Sequence, residues 1–173
     1  LTVSAGPADQ TTVQSALMFA TAGDTIKLCA GTFSGAEIGV DVDVEGNGDD
    51  TVLTRMSTGI SAAETTGRVV RIPPERRVVL RDLQITGGLA ELGIGAAAAR
   101  GGGIENAGDL RLLRVAVTNN EAIDTGGGIY NGVAAVLRLE SSVVSRKRTR
   151  STIGDGAGIY NDEGRVVAGL SVS

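Results

Sequence analysis

The sequence predicts an all-β fold, namely a right-handed single-stranded parallel β-helix whose N-terminal end is covered by an amphipathic helix. Three observations predict this fold. A glycine-rich motif recurs along the chain, a strand with alternating apolar residues follows each copy, and aromatic residues are scarce. The 173 residues include 26 glycines, two tyrosines, two phenylalanines and no tryptophan. Such a composition favours thin stacked layers of aliphatic side chains joined by tight turns.

The repeated motif has the form GGGI-x-N. Its copies start at residues 101, 126 and 156, that is, 25 and then 30 residues apart, and the last copy reads GAGI-x-N. Self-similarity at such a period is the mark of a solenoid, in which each repeat packs on its neighbours. Helix pairs would require an apolar period of 3.6 residues, which does not accompany the motif, so the repeat predicts coils of strands.

An alternating strand follows each motif, and its phase shifts once by two residues. Period-two alternation with one such break indicates two short strands joined at a corner, each with one face turned inward. The matching pairs are Leu110-x-Leu112 with Val115-x-Val117, and Leu137-x-Leu139 with Ser142-x-Val144. Segments 89–100 and 145–155 vary between copies, so we expect them to leave the coil as loops.

Stacked coils predict two ladders of identical side chains, because equivalent residues lie about 4.8 Å apart along the axis. The internal aliphatic ladder comprises Ile104, Ile129 and Ile159. The amide ladder, at a turn, comprises Asn106, Asn131 and Asn161. Stacked asparagine amides bond to one another and to the backbone, so the asparagines are expected to be structural.

The N-terminal third predicts a plug and irregular early coils within a single domain of residues 1–173. Residues 1–24 form the cap, in which Asp9 begins a helix and Gly23 ends it. The apolar face of that helix comprises Val13, Ala16, Leu17 and Ala20. Residues 25–100 form the early coils, with strands at 25–28, 38–44, 52–53 and 68–72. Residues 101–173 form the repeat coils, and their C-terminal end is expected to be uncapped.

Charge and composition argue against several classes of function. The net charge of −4 gives no general attraction to nucleic acid or anionic membranes, and histidine is absent. We therefore expect no nucleic-acid partner, no metal and no cofactor. The single Cys29 allows no internal disulfide and is expected to be a half-buried structural thiol. No stretch of the sequence is apolar enough to predict a transmembrane segment.

The order of segments carries a family resemblance. GDTIKLCAGTFSG, VDVEGNGDDTVL, RVVRI and VVLRDLQITGG precede the GGGI-x-N coils. This order resembles bacterial pectin-lyase-like β-helix proteins, nearest to the surface proteins with a CSLREA-type segment and polymorphic outer-membrane-protein-like repeats. Residues 11–17 stand where CSLREAI would be expected, and Arg146-Lys147 replaces the usual asparagine-rich ending. The resemblance implies a secreted or cell-surface protein that serves as a scaffold or adhesive stalk, and it transfers no catalytic residues.

The positions of the acidic residues argue against a catalytic site and against a metal site. Residues 41–50 resemble the start of a calcium loop, but the twelfth position is Val52, and alternation of Val40, Val42 and Val44 predicts an acidic strand followed by a turn. Polysaccharide lysis or hydrolysis would need carboxylates gathered at one cleft. In the predicted register, Asp82 lies over Arg114, and no two carboxylates occupy equivalent positions of adjacent coils.

Two surface features are candidate binding sites. Residues 146–150, with the sequence Arg-Lys-Arg-Thr-Arg and hereafter called the basic segment, provide Arg146, Lys147, Arg148 and Arg150. These cations could bind an acidic polysaccharide or phosphate, although a solvated loop is the commoner outcome. Tyr130 and Tyr160 occupy the same outward position and could hold sugar rings, although a cross-strand packing pair is the commoner outcome.

The sequence therefore favours a non-catalytic, exported β-helix that acts as a scaffold or adhesion module and that could bind glycans. One alternative is a polysaccharide lyase-like or hydrolase-like enzyme, or an inactive relative of one. Another is a self-assembling subunit that stacks on a second protein chain through its C-terminal end.

Overall fold

Parallel strands dominate the protein. The computed structural model describes residues 2–3, 12–55, 67–91, 99–150 and 156–169, and every strand pair within these ranges is parallel. Asp9, parts of both variable segments and the C-terminal residues 170–173 lie outside the described residues, so the predictions made for them stay predictions. Within the described ranges the fold is all-β apart from short helical elements.

Strands of two to ten residues follow one another along the chain. In chain order they are β1 (Thr2–Val3), β2 (Thr25–Leu28), β3 (Gly31–Ser34), β4 (Ala36–Glu37), β5 (Val42–Glu45), β6 (Thr51–Thr54), β7 (Val70–Ile72), β8 (Arg77–Thr86), β9 (Leu89–Ala90), β10 (Ile104–Asn106), β11 (Asp109–Thr118), β12 (Glu121–Ala122), β13 (Ile129–Asn131), β14 (Val136–Glu140), β15 (Val143–Ser145), β16 (Arg148–Thr149), β17 (Ile159–Asn161) and β18 (Arg165–Gly169).

The described strands form three sheets, which the chain visits in a fixed order. The large sheet has the order β1-β2-β5-β8-β11-β14-β18, with β3, β6 and β15 paired alongside. A second sheet has the order β4-β7-β10-β13-β17, and a third has the order β9-β12-β16. From β8 onward the chain passes from the large sheet to the third sheet, then to the second, and then back to the large one. Each return adds a strand beside the strand that the previous passage left.

The long strands β8 and β11 turn a corner in their middle, where the alternation of buried and exposed residues shifts phase. Asp82 and Arg114 occupy this corner with φ angles of 53° each, and Ser141 takes the same position with a φ angle of 48° between β14 and β15. Side chains on both sides of the corner therefore face the interior. This is the physical origin of the two-residue phase shift that the sequence shows.

The core lies between the sheets and is almost entirely aliphatic. Its largest fully buried side chains are Ile26, Ile38, Leu53, Ile72, Leu80, Leu83, Ile85, Ile104, Leu110, Leu112, Ile129 and Leu137. Apart from Ile38, they come from strands of the large and second sheets, as expected if stacked rows of Val, Leu and Ile fill the space between parallel strands. The third sheet contributes the buried alanines Ala90 and Ala122, which form a separate small cluster. Burial of this kind supplies the main free energy of folding.

The N-terminal helix α1 (Val13–Phe19) packs against β1 and β4. Thr12 is the N-cap of this helix, because the Thr12 hydroxyl accepts a bond from the Ser15 backbone N–H and Ser15 reciprocates as a capping box. Val13, Ala16 and Leu17 are buried, as the amphipathic pattern predicts. No helix in the described part of the chain is long and apolar enough to cross a membrane.

The early strands differ from the sequence-based boundaries. The strand expected over 38–44 is only partly present, because β5 begins at Val42 and residues 38–41 lie outside any strand. The strands β3 and β4 were not foreseen. Gly35 explains part of the difference. A Cβ atom at Gly35 would lie 1.8 Å from the Val69 carbonyl oxygen, so the chain bends closely past its neighbour there. The alternation of apolar and polar residues in the sequence does not reveal such a close contact between backbone segments.

Candidate functional site

The isoleucines of the repeated motif lie in register. Ile104 pairs with Ile129, and Ile129 pairs with Ile159, across β10, β13 and β17. The first two side chains are fully buried and the third is half-buried. This ladder belongs to the interior and presents no polar atom to solvent.

The asparagines of the motif form a chain of amide hydrogen bonds. Asn106 Nδ2 donates to Asn131 Oδ1 at 2.7 Å and to the Val136 carbonyl at 3.0 Å. Asn131 Nδ2 in turn donates to Asn161 Oδ1 at 2.7 Å. Asn106 and Asn131 are fully buried, whereas Asn161 is exposed. The buried amides are engaged in holding the turn, so they are not available to a ligand.

The outward face of the second sheet carries a column of charges and rings. Register places Glu37, Arg71, Glu105, Tyr130 and Tyr160 in consecutive strands. Charges of opposite sign therefore alternate in the early strands and aromatic rings continue the column. This arrangement was not foreseen, although the variable position of the motif aligns Glu105 with both tyrosines and could have revealed part of it.

Two carboxylates in this column are separated by an arginine and cannot act as a catalytic pair on a glycoside. Glu37 and Glu105 lie on either side of Arg71, whose guanidinium contacts Glu37 at 2.8 Å and Glu105 at 3.3 Å. A pair of catalytic carboxylates must leave room for a sugar ring and water between them. Here a guanidinium fills that space.

Arg68 is a buried arginine that contacts Glu105 of this column. Its side chain is buried and donates to Glu105 and to the Arg100 carbonyl. Burial lowers the pKa of Arg68, and the neighbouring Glu105 opposes that shift. Removing one partner from a buried ion pair leaves an uncompensated charge, so Arg68 and Glu105 depend on each other structurally.

Tyr130 is enclosed and not exposed as the sugar-binding hypothesis requires. It is 5% exposed, and its ring stacks on Tyr160 with centroids 5.8 Å apart and planes 7° apart. The Arg100 guanidinium lies 4.9 Å from the ring centroid and donates to the Tyr130 hydroxyl at 2.6 Å. That hydroxyl donates to Asp162. The half-buried Tyr160 serves as the packing partner, so the pair matches the cross-strand packing alternative.

The surroundings of Tyr130 keep its hydroxyl protonated. Burial of the phenol, followed by its hydrogen bond to Asp162, raises the pKa of Tyr130 to about 12. A catalytic tyrosine base would need the opposite shift. Arg100 and Asp162, which the sequence did not single out, come from the residue before one motif and from the turn after another.

The acidic residues 41–50 form a strand and a turn. Val42 and Val44 are buried, Asp43 pairs with Arg81, and Asp41 accepts a bond from the Arg77 backbone N–H at 3.1 Å. A 3₁₀ turn (Gly48–Asp50) follows. Within the described ranges no three acidic or cysteine side chains gather closely enough to hold a metal ion.

Each cation of the basic segment is exposed, namely Arg146, Lys147, Arg148 and Arg150. Arg150 pairs with Glu121. Lys147 Nζ donates to the Val144 carbonyl at 3.3 Å. The repeat brings these cations together at one corner and along β16. The structure does not bring them to Tyr130 and Tyr160 through any contact among the described residues.

Cys29 is exposed, which corrects the expectation of a half-buried thiol. It follows β2 at the point where the chain turns, so its side chain leaves the row of inward residues that ends at Leu28. Lys27 and Glu45 line with Cys29 a shallow depression of about 350 Å³.

No family model, curated protein or solved structure matches this chain.

Proposed function

We propose that the chain is a right-handed single-stranded parallel β-helix of the pectin-lyase-like type. Two features support this: every described strand pair is parallel, and from β8 onward the chain enters the three sheets in one cyclic order. Hydrogen-bonded asparagines in successive motifs are 25 and 30 residues apart, the length of one coil. Parallel strands joined by a crossover are right-handed in about 98% of cases, which supports the handedness.

The protein acts as a non-catalytic scaffold or adhesion module, secreted or displayed at the bacterial cell surface. One observation carries this proposal: within the described ranges each strand carboxylate except Glu45 pairs with an arginine on or beside a neighbouring strand, and no three of these carboxylates gather at one site. The ion pairs beyond the second sheet include Asp43–Arg81, Asp82–Arg114, Asp109–Arg138 and Glu140–Arg111. Carboxylates engaged in this way stabilise the stacked strands, and the guanidinium that holds each of them makes it unsuited to proton transfer.

Export is supported by the resemblance of residues 23–88 and of the glycine motif to surface-displayed repeat proteins. Protease treatment of intact bacteria that produce the chain tests it. We expect the chain to be degraded while a cytoplasmic marker stays intact. A chain that is degraded only after lysis would contradict the surface location.

Absence of catalysis requires a separate test. Purified protein is incubated with pectate, alginate, heparin and neutral glucans, and unsaturated uronates and new reducing ends are measured. We expect no product above a heat-denatured control. Steady product release from any of these substrates would overturn the non-catalytic proposal and favour a polysaccharide-active enzyme.

A further inference from the structure

Three consecutive cations of the basic segment have no ion-pair partner among the described residues. Most arginines of the chain form an ion pair within the described residues, namely Arg68, Arg71, Arg76, Arg81, Arg100, Arg111, Arg114, Arg138 and Arg150. Arg146, Lys147 and Arg148 form none with any described residue. Glu121, the carboxylate beside Arg148 on the adjacent strand, is already paired with Arg150. The segment therefore holds a concentrated positive charge on a chain whose net charge is −4.

The position of these cations follows from the repeat. Because Ser145 pairs with Thr118 and Arg148 pairs with Glu121, residues 146 and 147 occupy the corner that residues 119 and 120 occupy in the preceding passage. Asn119 and Arg146 share the left-handed conformation, with φ angles of 55° and 46°. The corner is thus conformationally the same in both passages, and what changes is the side chains.

The change in side chain exchanges an internal hydrogen-bonding group for an exposed cation. Asn120 is buried, accepts a bond from the Gly88 backbone N–H at 2.9 Å and donates to the Ile85 carbonyl at 3.0 Å. Lys147 stands at the equivalent position but is exposed. Its ammonium has three donors, and the bond to Val144 uses one of them. Donors remain for an external anion.

The backbone that bears the cations is held in place. The Arg148 N–H donates to the Asn120 carbonyl at 3.1 Å, and the Arg150 N–H donates to the Ala122 carbonyl at 3.1 Å. A ligand that binds here does not have to order a flexible chain, which lowers the entropic cost of association. The basic segment therefore differs from a solvated charged tail.

Spacing of the cations suits a polymer with repeated anionic groups. Arg146, Lys147 and Arg148 are consecutive and all exposed, so a ligand with several anionic groups can reach all three. Guanidinium groups bind carboxylates and sulfates through two parallel hydrogen bonds. Arg150 is shared with Glu121, so Arg146, Lys147 and Arg148 are the cations free to bind.

We infer that the basic segment binds an anionic polysaccharide, an inference that rests on the proposed adhesive function. The shared chemistry is a sugar chain with carboxylate or sulfate groups. A narrow chain can contact the segment alone, whereas an anionic membrane would also face the acidic remainder of the molecule. Nucleic acid is disfavoured because the enclosed Tyr130 and the half-buried Tyr160 provide no open stacking face.

The test uses a variant copied from the preceding corner. R146N/K147N/R148S places the Asn119-Asn120 pair where Arg146-Lys147 stands and removes three charges while preserving residues suited to the turn. The matched control, K27S/R77S/R165S, removes three exposed cations that form no ion pair within the described residues. Thermal melting and circular dichroism establish that each variant is folded. Single variants R146N and K147N serve if the triple variant does not fold.

Binding of the full 173-residue chain is measured to polygalacturonate, to heparin, to neutral dextran, to single-stranded DNA and to vesicles containing phosphatidylserine. We expect the wild type to bind one or both acidic glycans and not dextran, and the basic-segment variant to bind at least about tenfold more weakly, with the control within about twofold. The two glycan arms separate carboxylate from sulfate recognition. Affinity falls steeply between about 0.1 and 1 M salt because screening shortens the reach of the charges.

Three results would overturn the inference: no wild-type binding to either acidic glycan, equal loss in the control variant, or binding to DNA or vesicles as tight as to the glycans. The same samples are analysed for unsaturated uronates and new reducing ends. Product release would overturn the non-catalytic function even where binding holds. A wild-type protein that is protease-accessible on intact cells but binds neither acidic glycan would overturn the inference alone.

Discussion

Residues with positive φ angles set the direction of the chain at its corners. Eight described residues other than glycine have positive φ angles, and Asp82, Arg114 and Ser141 repeat this conformation at one corner. For a residue with a Cβ atom, the left-handed conformation costs about 1–2 kcal/mol. The sequence could predict that a corner exists from the phase shift in alternation. It could not predict which non-glycine residue takes the strained conformation, because no glycine marks the position.

Ala134 provides a direct test of corner strain. It is exposed, with a φ angle of 60°, in the turn before β14. Ala134→Gly removes the clash of the Cβ atom and adds unfolded-chain entropy, so we expect a net increase of about 0.5–1 kcal/mol in the free energy of unfolding. Ala22→Gly, at an exposed alanine without a positive φ angle, is the control and should decrease it. Urea unfolding measures both, and destabilisation by Ala134→Gly would show that the corner is not strained.

The raised pKa of Tyr130 predicts that the protein loses stability at high pH. Its pKa of about 12 lies above the value of about 10 for a free tyrosine, so the protonated phenol is favoured in the folded state. This contribution is complete below pH 10 and is lost as the pH rises towards 12. In Tyr160→Phe, which leaves Tyr130 as the single tyrosine, tyrosinate absorbance should appear near pH 12 in the folded protein and near pH 10 in urea. Equal midpoints in both conditions would show that the enclosure is absent.

The glycine motif predicts how its strands pair, because its period fixes the register of β10, β13 and β17. The surroundings of Tyr130 could not be predicted in the same way. They depend on Arg100, the last residue of a variable segment, and on Asp162 in a turn of different composition. The early strands are predicted only in part: β2 matches the strand expected at 25–28, whereas β3 and β4, which carry no motif, were not foreseen. Repetition encodes register, whereas contacts between non-equivalent residues depend on loop conformation.

The asparagine ladder should lose strength towards β17. Asn131→Ala removes the acceptor of the buried Asn106 amide and the donor to Asn161, so we expect a loss of about 2–3 kcal/mol in unfolding free energy. Asn161→Ala is the matched control. Asn161 is exposed, and water can replace its bonds, so that change should cost less than about 1 kcal/mol. Equal losses in urea unfolding would contradict a structural role that depends on burial.

At the scale of the whole molecule, each passage of the chain contacts mainly the passages on either side. Leu110 and Leu137 are fully buried in adjacent strands, whereas Val166, which continues their row in β18, is 39% exposed. Stability in such an array is a sum of terms within passages and between neighbours. A gradient of local stability along the axis follows.

Hydrogen exchange of the 173-residue chain tests this gradient. We expect amides of β17 and β18 to exchange at least about tenfold faster than those of β8 and β11, because opening the exposed passage disrupts one interface while opening an internal passage disrupts two. Leu137→Ala, which weakens the contact between β14 and its neighbours, should accelerate exchange in β14 and β18 more than in β5, and Ala30→Gly in an exposed turn is its control. Equal protection in all these strands would mean that the chain opens as one cooperative unit, and the nearest-neighbour description would fail.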